Sequence, residues 1–224
     1  MVEHTGTPTK KARKPKSDKK REAFAPDQVE KLLRGFGDWG SRQGDLMRLA
    51  LVTGCRVDEI GSLMMDDVES DGSGFTIRAG KTDNAARYIP LVGDAQRLLV
   101  GRTEKAAQLQ AQLSSDQRRL FPEWSLKPST GKVSGVSQWF TRYRRQTLGA
   151  ETDGRMVFHS FRHTWRTVAR RAGVAEDRIR DLGGWEGDKD TADGYDHGLL
   201  REQLEKAQQD IWKAMEQQGY LTAF

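Results

Sequence analysis

The chain of 224 residues has one cysteine, Cys55, and so cannot form an internal disulfide. A lone cysteine is typical of proteins in a reducing cytoplasm, where we expect this protein to act. No apolar stretch approaches the ~20 residues of a membrane-spanning helix. The N-terminus also lacks the apolar segment of a signal peptide. With 36% hydrophobic and 31% charged residues, the composition predicts a globular domain with a well-solvated surface.

Positive charge is concentrated at the N-terminus. The formal net charge is +5, and residues 1–22 carry eight Lys or Arg against three Asp or Glu, whereas the remainder carries 29 of each. A basic arm on a charge-balanced domain suits a polyanionic partner, although a solvated linker has the same composition. Because this segment has few apolar residues, we expect residues 1–22 to be a disordered tail or the remnant of an interdomain linker. The candidate contacts of this tail to such a polyanion are Lys19, Lys20 and Arg21.

Apolar periodicity predicts a mainly α-helical domain with a small antiparallel β-sheet. Helices are expected from Pro26, over 41–52, from Arg56, over 94–113 and through most of the chain after residue 135. Turn residues separate segments 75–77 and 87–91, which indicates a β-hairpin. We expect one domain over 23–198. Residues 199–224 should form an amphipathic helix and tail, whose apolar stripe packs either on its own domain or on a neighbouring protomer.

The segment TGCRVDEIGSL, residues 53–63, places an arginine at a predicted helix start. There the guanidinium of Arg56 and nearby backbone N–H groups can converge on an anion. Glu59 lies one turn later and can orient Arg56 through a charge-assisted hydrogen bond. Taken alone, the same pair is also typical of an exposed helix surface.

The segment FHSFRHTW, residues 158–165, places His159 and Arg162 on one helical face. An imidazole can accept a proton from an attacking hydroxyl, and a guanidinium can hold phosphate oxygens with its planar fork. His159 and His163 also have the spacing of a zinc-binding pair. Neither an acidic third ligand at helical spacing nor a cysteine cluster accompanies them, so we expect no metal site.

Three further residues complete the candidate set. Lys81 lies at the tip of the predicted hairpin. A lysine there could reach a leaving oxygen and donate its proton, although hairpin tips often carry a lysine for solubility alone. Trp185 follows Gly184 in DLGGWEGDKDTADGYDHG, and its indole can pack against a site or simply fill the core. Tyr195 ends this stretch. A phenol with its ordinary pKa of ~10 needs neighbouring cations or a base before it can attack.

The order of these segments resembles that of the tyrosine recombinases, the phage-integrase-type site-specific DNA recombinases, in their catalytic domain. The matching pattern is T-G-x-R-x-x-E at 53–59, G-K before a strand ending in P-L, H-x-x-R-H-T at 159–164, then G-W and Y. It covers roughly residues 24–205. The resemblance implies catalytic roles at the following positions: Arg56, Lys81, His159, Arg162, Trp185 and Tyr195. At the position where many relatives carry histidine, Gly184 is the alternative to Trp185.

The resemblance further implies metal-independent strand breaking and rejoining through a 3′-phosphotyrosine intermediate. No cofactor is expected, because the covalent link conserves the phosphodiester energy. The partners would be double-stranded DNA and further copies of the chain, as a tetramer, in a bacterial or phage-encoded protein of the cytoplasm. Phosphate contacts should include three arginines of one basic cluster: Arg142, Arg144 and Arg145.

Relatives also carry an N-terminal helical domain that clamps DNA, so the sequence suggests either a short natural enzyme or the catalytic part of a longer one. We favour the second possibility. The functional alternatives are a type IB topoisomerase-like relaxase and a catalytically idle DNA-binding protein on the same fold.

Overall fold

The fold is mainly helical, with one small antiparallel sheet, which confirms the predicted class. A computed structural model describes residues 20–78, 86–112, 118–185 and 197–224, with backbone alone for 197–199. In chain order the elements are α1 (Pro26–Arg34), α2 (Arg42–Thr53), α3 (Val57–Gly61), β1 (Gly74–Ile77), β2 (Arg87–Pro90), α4 (Asp94–Gln110), α5 (Val136–Leu148), α6 (Ser160–Arg171), α7 (Glu176–Gly183) and α8 (His197–Gln217). In these residues no helix is long and apolar enough to cross a membrane.

Helix α2 forms the centre of the domain and is buried on all sides from Gly44 to Thr53. Such all-round burial is typical of a helix that other elements enclose, and α2 packs against α3, α4 and α6. The helix begins at Ser41, whose side chain accepts a hydrogen bond from the Gly44 N–H at 2.9 Å. It ends at Gly54, which has the left-handed φ of 64°. Cys55 is still buried, and the chain leaves the core at Arg56, whose position is therefore fixed.

Aromatic side chains fix the start of α6, the helix predicted to carry the histidine and the second arginine. Four rings contact one another in the core there: Phe24, Phe140, Phe158 and Phe161. The backbone N–H of Phe24 also donates to the Thr164 hydroxyl at 2.8 Å. The chain before α1 is thereby joined to α6.

The two strands pair with Phe75 opposite Ile89 and Ile77 opposite Arg87. Side chains alternate between the faces of a strand, and Phe75, Ile77 and Ile89 are buried. Arg87 therefore extends from the strand on the face that meets the core. The hairpin tip, residues 79–85, lies outside the described residues.

Helix α8 packs on the chain's own domain, against α6, α7 and β2. Its buried apolar side chains include Leu204, Ala207, Ile211 and Met215. Gln208, on the same side of the helix, donates to the Val52 carbonyl of α2. After α8 the chain turns back, and the buried Tyr220 donates from its hydroxyl to the Phe24 carbonyl at 3.1 Å. The domain boundaries at 22 and 198, and any contact of α8 with a neighbouring protomer, stay predictions.

Candidate active site

Arg56 caps the start of α3, and three hydrogen bonds hold it. Its Nη1 donates to Glu59 Oε1 at 2.7 Å, and its Nη2 donates to the Gly184 carbonyl at 3.2 Å. Its backbone N–H donates to Glu59 Oε2 at 2.7 Å. That N–H is therefore occupied by Glu59 and is not available to an anion. The guanidinium, with 44% of the side chain exposed, is the group that can meet a ligand.

Arg162 lies in the first turn of α6 and is buried, with 2% of the residue exposed. Its Nη1 donates to the Gly54 carbonyl at 2.7 Å, which links α6 to the turn before Arg56. Among the described residues, its Nη2 has no hydrogen-bond partner. Desolvation, followed by the charge of Arg56, lowers the pKa of Arg162 to about 10. The guanidinium stays charged at neutral pH, but burial beside a second cation is unfavourable until an anion binds.

Trp185 stacks on two arginines. Its ring lies 3.8 Å from the guanidinium carbon of Arg162 and 4.6 Å from that of Arg166. It also stacks on Trp165, with ring centroids 6.3 Å apart. Gly184 instead contributes its carbonyl to Arg56. Of the two residues considered for this position, Trp185 is thus the one whose side chain contacts Arg162, through cation–π stacking.

His159 immediately precedes α6, and its ring centroid lies 5.1 Å from that of His163. Desolvation lowers the pKa of His159 to about 4, together with the charges of His163, Arg162 and Arg56. The residue is exposed overall, and the neighbouring positive charges still disfavour its protonation. The imidazole is therefore neutral near pH 7 and can accept a proton.

Arg87 was missed by sequence reasoning and lies at the base of this site. Its Nη2 donates to Glu59 Oε2 at 2.9 Å, and its Nε donates to the Leu182 carbonyl at 2.9 Å. Burial alone would raise the pKa of Glu59, but hydrogen bonds and charge from Arg87 and Arg56 lower it below its ordinary value. Glu59 thus stays ionised between two guanidinium groups. The alternation of β2 would have indicated Arg87, because a charge on the buried face of a strand requires a partner.

Lys81 and Tyr195 lie outside the described residues. Their roles therefore stay predictions from the sequence pattern. Of the six predicted catalytic residues, the structure joins three through contacts that involve Gly54, Glu59 and Gly184: Arg56, Arg162 and Trp185. His159 immediately precedes α6 and lies near enough for the charges of Arg162 and Arg56 to lower its pKa.

The predicted DNA contacts on α5 need one correction. Arg144 is buried, and both of its Nη atoms already donate to Thr152, Asp153 and the Gly149 carbonyl, so neither is left for a phosphate. We withdraw it as a DNA contact. Arg142 is exposed, and Arg145 is exposed while paired with Asp153.

The basic tail begins beside the site. The guanidinium of Arg21 donates to the Gly154 carbonyl at 2.5 Å. Its charge contributes to lowering the pKa of both His159 and His163. Lys20 is exposed, and Lys19 lies outside the described residues.

Solved structures with a similar fold cover most of this chain. XerA recombinase and the integrase of mycobacterium phage Brujita each match 92% of the chain at 17% identity and a TM-score of 0.55. A lambda integrase tetramer bound to a Holliday junction matches 80% of it at 20% identity and a TM-score of 0.53. The chain spans 66%, 61% and 51% of the lengths of these three proteins.

Comparison with curated protein sequences gives no match. The phage integrase family, in contrast, matches residues 22–200, which include every predicted catalytic residue. By this match, which covers most of its length, the chain belongs to the phage integrase family.

Proposed function

We propose that the protein is a site-specific DNA recombinase that cleaves and rejoins strands through a 3′-phosphotyrosine intermediate. The observation that carries this proposal is the state of Arg162. Its guanidinium is buried beside the cation Arg56, and within the described structure its Nη2 has no hydrogen-bond partner. Fixing a buried cation in this way is unfavourable unless an anion completes the site. A phosphodiester supplies both the charge and the acceptor oxygens.

The two guanidinium groups would neutralise the non-bridging oxygens as charge develops on the scissile phosphate. Both are held in place before DNA binds, Arg56 by Glu59 and Gly184, and Arg162 by Gly54. Preorganised donors of this kind lower a barrier because they need not reorient during the reaction. One such donor is worth about 10²–10³ in rate.

In the proposed cleavage step, the Tyr195 oxygen forms a bond to phosphorus while the bond from phosphorus to the 5′-oxygen breaks. The neutral imidazole of His159 accepts the phenolic proton. Lys81 donates a proton to the leaving 5′-oxygen. The 5′-hydroxyl of a second strand then attacks the phosphotyrosine, the tyrosine leaves, and a new phosphodiester forms with no net consumption of a cofactor.

Two strand exchanges need several active sites on one DNA junction, so we further propose that the chain acts as a multimer on double-stranded DNA. The lambda integrase match, a tetramer on a Holliday junction, supports this assembly. Because this chain spans two thirds or less of such proteins, an additional DNA-clamping domain is part of the proposal. Arg142, Arg145 and the basic tail are the proposed phosphate contacts, and their binding should weaken steeply with salt.

The test is covalent trapping on a nicked DNA substrate whose cleaved fragment diffuses away, followed by mapping of the modified residue. Wild-type protein should form an adduct at Tyr195, and Tyr195→Phe should form none while binding DNA nearly as well. Tyr143→Phe is the matched control. It also removes one phenolic oxygen, but that hydroxyl donates to the Leu32 carbonyl at 2.8 Å between α5 and α1, away from the candidate active site.

Adduct formation by Tyr195→Phe would show that another residue is the nucleophile. Absence of any adduct from the wild-type protein, despite DNA binding, would favour the catalytically idle alternative. Adduct formation with relaxation of supercoils, but without exchange of Holliday junction strands, would favour the topoisomerase-like alternative.

A further inference from the structure

We propose that Arg87 is a positioning residue for Arg56, which it holds in its reactive orientation from both sides. This inference rests on the proposed function, since it concerns how the phosphate-binding arginine is fixed. Arg87 belongs to β2, so the strand that leaves the hairpin tip would control the geometry of a residue on α3.

The first connection passes through Glu59. The guanidinium of Arg87 donates to both carboxylate oxygens of Glu59, at 3.2 and 2.9 Å. The same two oxygens accept from the side chain and the backbone N–H of Arg56, each at 2.7 Å. A carboxylate that is bound on both oxygens from two directions cannot rotate. The Arg56 guanidinium that is bonded to it is therefore held in one orientation.

The second connection passes through the end of α7. Arg87 Nε donates to the Leu182 carbonyl at 2.9 Å, and its guanidinium lies directly against Gly184. A side-chain carbon added at Gly184 would be only 2.6 Å from Arg87 Nη1. Gly184 in turn accepts from Arg56 Nη2. Arg87 therefore also fixes the carbonyl that holds the other end of the Arg56 guanidinium.

Charge supports the same assignment. Arg56 and Glu59 alone form a neutral pair, and Arg87 makes the three-residue cluster net positive. All three nitrogens of the Arg87 guanidinium already donate to Glu59 or to the Leu182 carbonyl, so a phosphate on the exposed side of Arg56 would not be bound by Arg87. Arg87 thus acts through Arg56 and is not itself a catalytic residue.

The experiment measures single-turnover cleavage of the nicked substrate by Arg87→Lys and Arg87→Gln. Lysine keeps the charge but cannot reproduce the fork that bonds Glu59 and Leu182 together. Small displacements of a catalytic group are costly, so each variant should cleave about 10²-fold more slowly. In an Arg56→Ala background, adding either substitution should cost less than about threefold, because coupled residues do not act additively.

A second readout uses a methylphosphonate at the scissile position, which removes the negative charge that Arg56 neutralises. The loss caused by Arg87→Lys should shrink on this substrate, whereas loss from general misfolding would persist on both. Arg102→Lys is the matched control. Arg102 is a buried arginine away from the site. It donates from Nε to the Leu120 carbonyl at 2.9 Å and from Nη2 to Glu123 at 2.5 Å.

All rates are compared well below the lowest melting temperature of the set. Wild-type cleavage rates for both Arg87 variants would overturn the inference. So would losses that multiply in full with that of Arg56→Ala, because Arg87 would then act independently. An absence of adduct from the wild-type protein would instead remove the proposed function itself, and the inference with it.

Discussion

Replacement of Arg162 by methionine should separate catalysis from stability. Burial and the charge of Arg56 lower the pKa of this guanidinium to about 10, so the fold disfavours its charged form by roughly 3 kcal/mol. Methionine removes that cost and keeps much of the volume, but leaves the Gly54 carbonyl without its partner, at a cost of about 1–3 kcal/mol. The two effects are opposite in sign. We therefore expect Arg162→Met to change the free energy of unfolding by less than about 2 kcal/mol.

Catalysis should respond very differently. Loss of one preorganised donor to the phosphate should slow single-turnover cleavage by about 10²–10³, equivalent to about 2.7–4 kcal/mol. DNA affinity should fall less than about tenfold, since one phosphate contact is lost among many. Arg166→Met is the matched control, because Arg166 stacks on the same Trp185 ring but pairs with Glu176. Equal losses in cleavage and affinity for Arg162→Met, or an equal cleavage defect for Arg166→Met, would refute the reasoning.

Two further predictions concern the same site. Gly54→Ala should lower the melting temperature by roughly 5–15 °C. The φ of +64° at this position is strained for alanine, and the added carbon would lie 2.6 Å from the Trp165 ring. An unchanged melting temperature in calorimetry would contradict this prediction. His159 should titrate near pH 4 in the DNA-free protein by NMR, and its pKa should rise when a phosphate binds. Because its folded pKa lies below the unfolded 6.5, the unfolded state binds more protons in this window, so stability should fall as pH decreases from 6.5 towards 4. An NMR titration midpoint of His159 near pH 6.5 would contradict the effect of the neighbouring positive charges.

The helices that surround the site were predictable because their apolar residues recur with helical spacing. The stripe of Val29, Leu32 and Leu33 in α1 is buried as expected. The end of α2 at Gly54 was predictable because glycine is the residue that adopts a left-handed φ at low cost. Helix α4 was expected to reach residue 113 but ends at Gln110, and residue 113 itself lies outside the described part of the chain.

Individual arginines were harder to assign, because a sequence does not show which charge is buried. Arg144 follows Val136 and Phe140 at spacings of four, so it continues the buried stripe of α5 and pairs with Asp153 there. Treating 142–145 as one basic patch overlooked that periodicity. Arg87 was missed because the alternation of β2, which places its side chain on the buried face, was likewise overlooked. Its partner Glu59 lies 28 residues earlier in the chain, a distance over which spacing carries no information.

The central claim is that Arg56 and Arg162 bind one scissile phosphate. The most direct measurement is an experimental structure of the Tyr195→Phe variant bound to an uncleaved DNA site. The account predicts guanidinium nitrogens of both arginines within hydrogen-bonding distance of the non-bridging oxygens of a single phosphate, with Trp185 still stacked on Arg162. Contacts from the two arginines to different phosphates, or an Arg162 that remains out of reach of DNA, would contradict it.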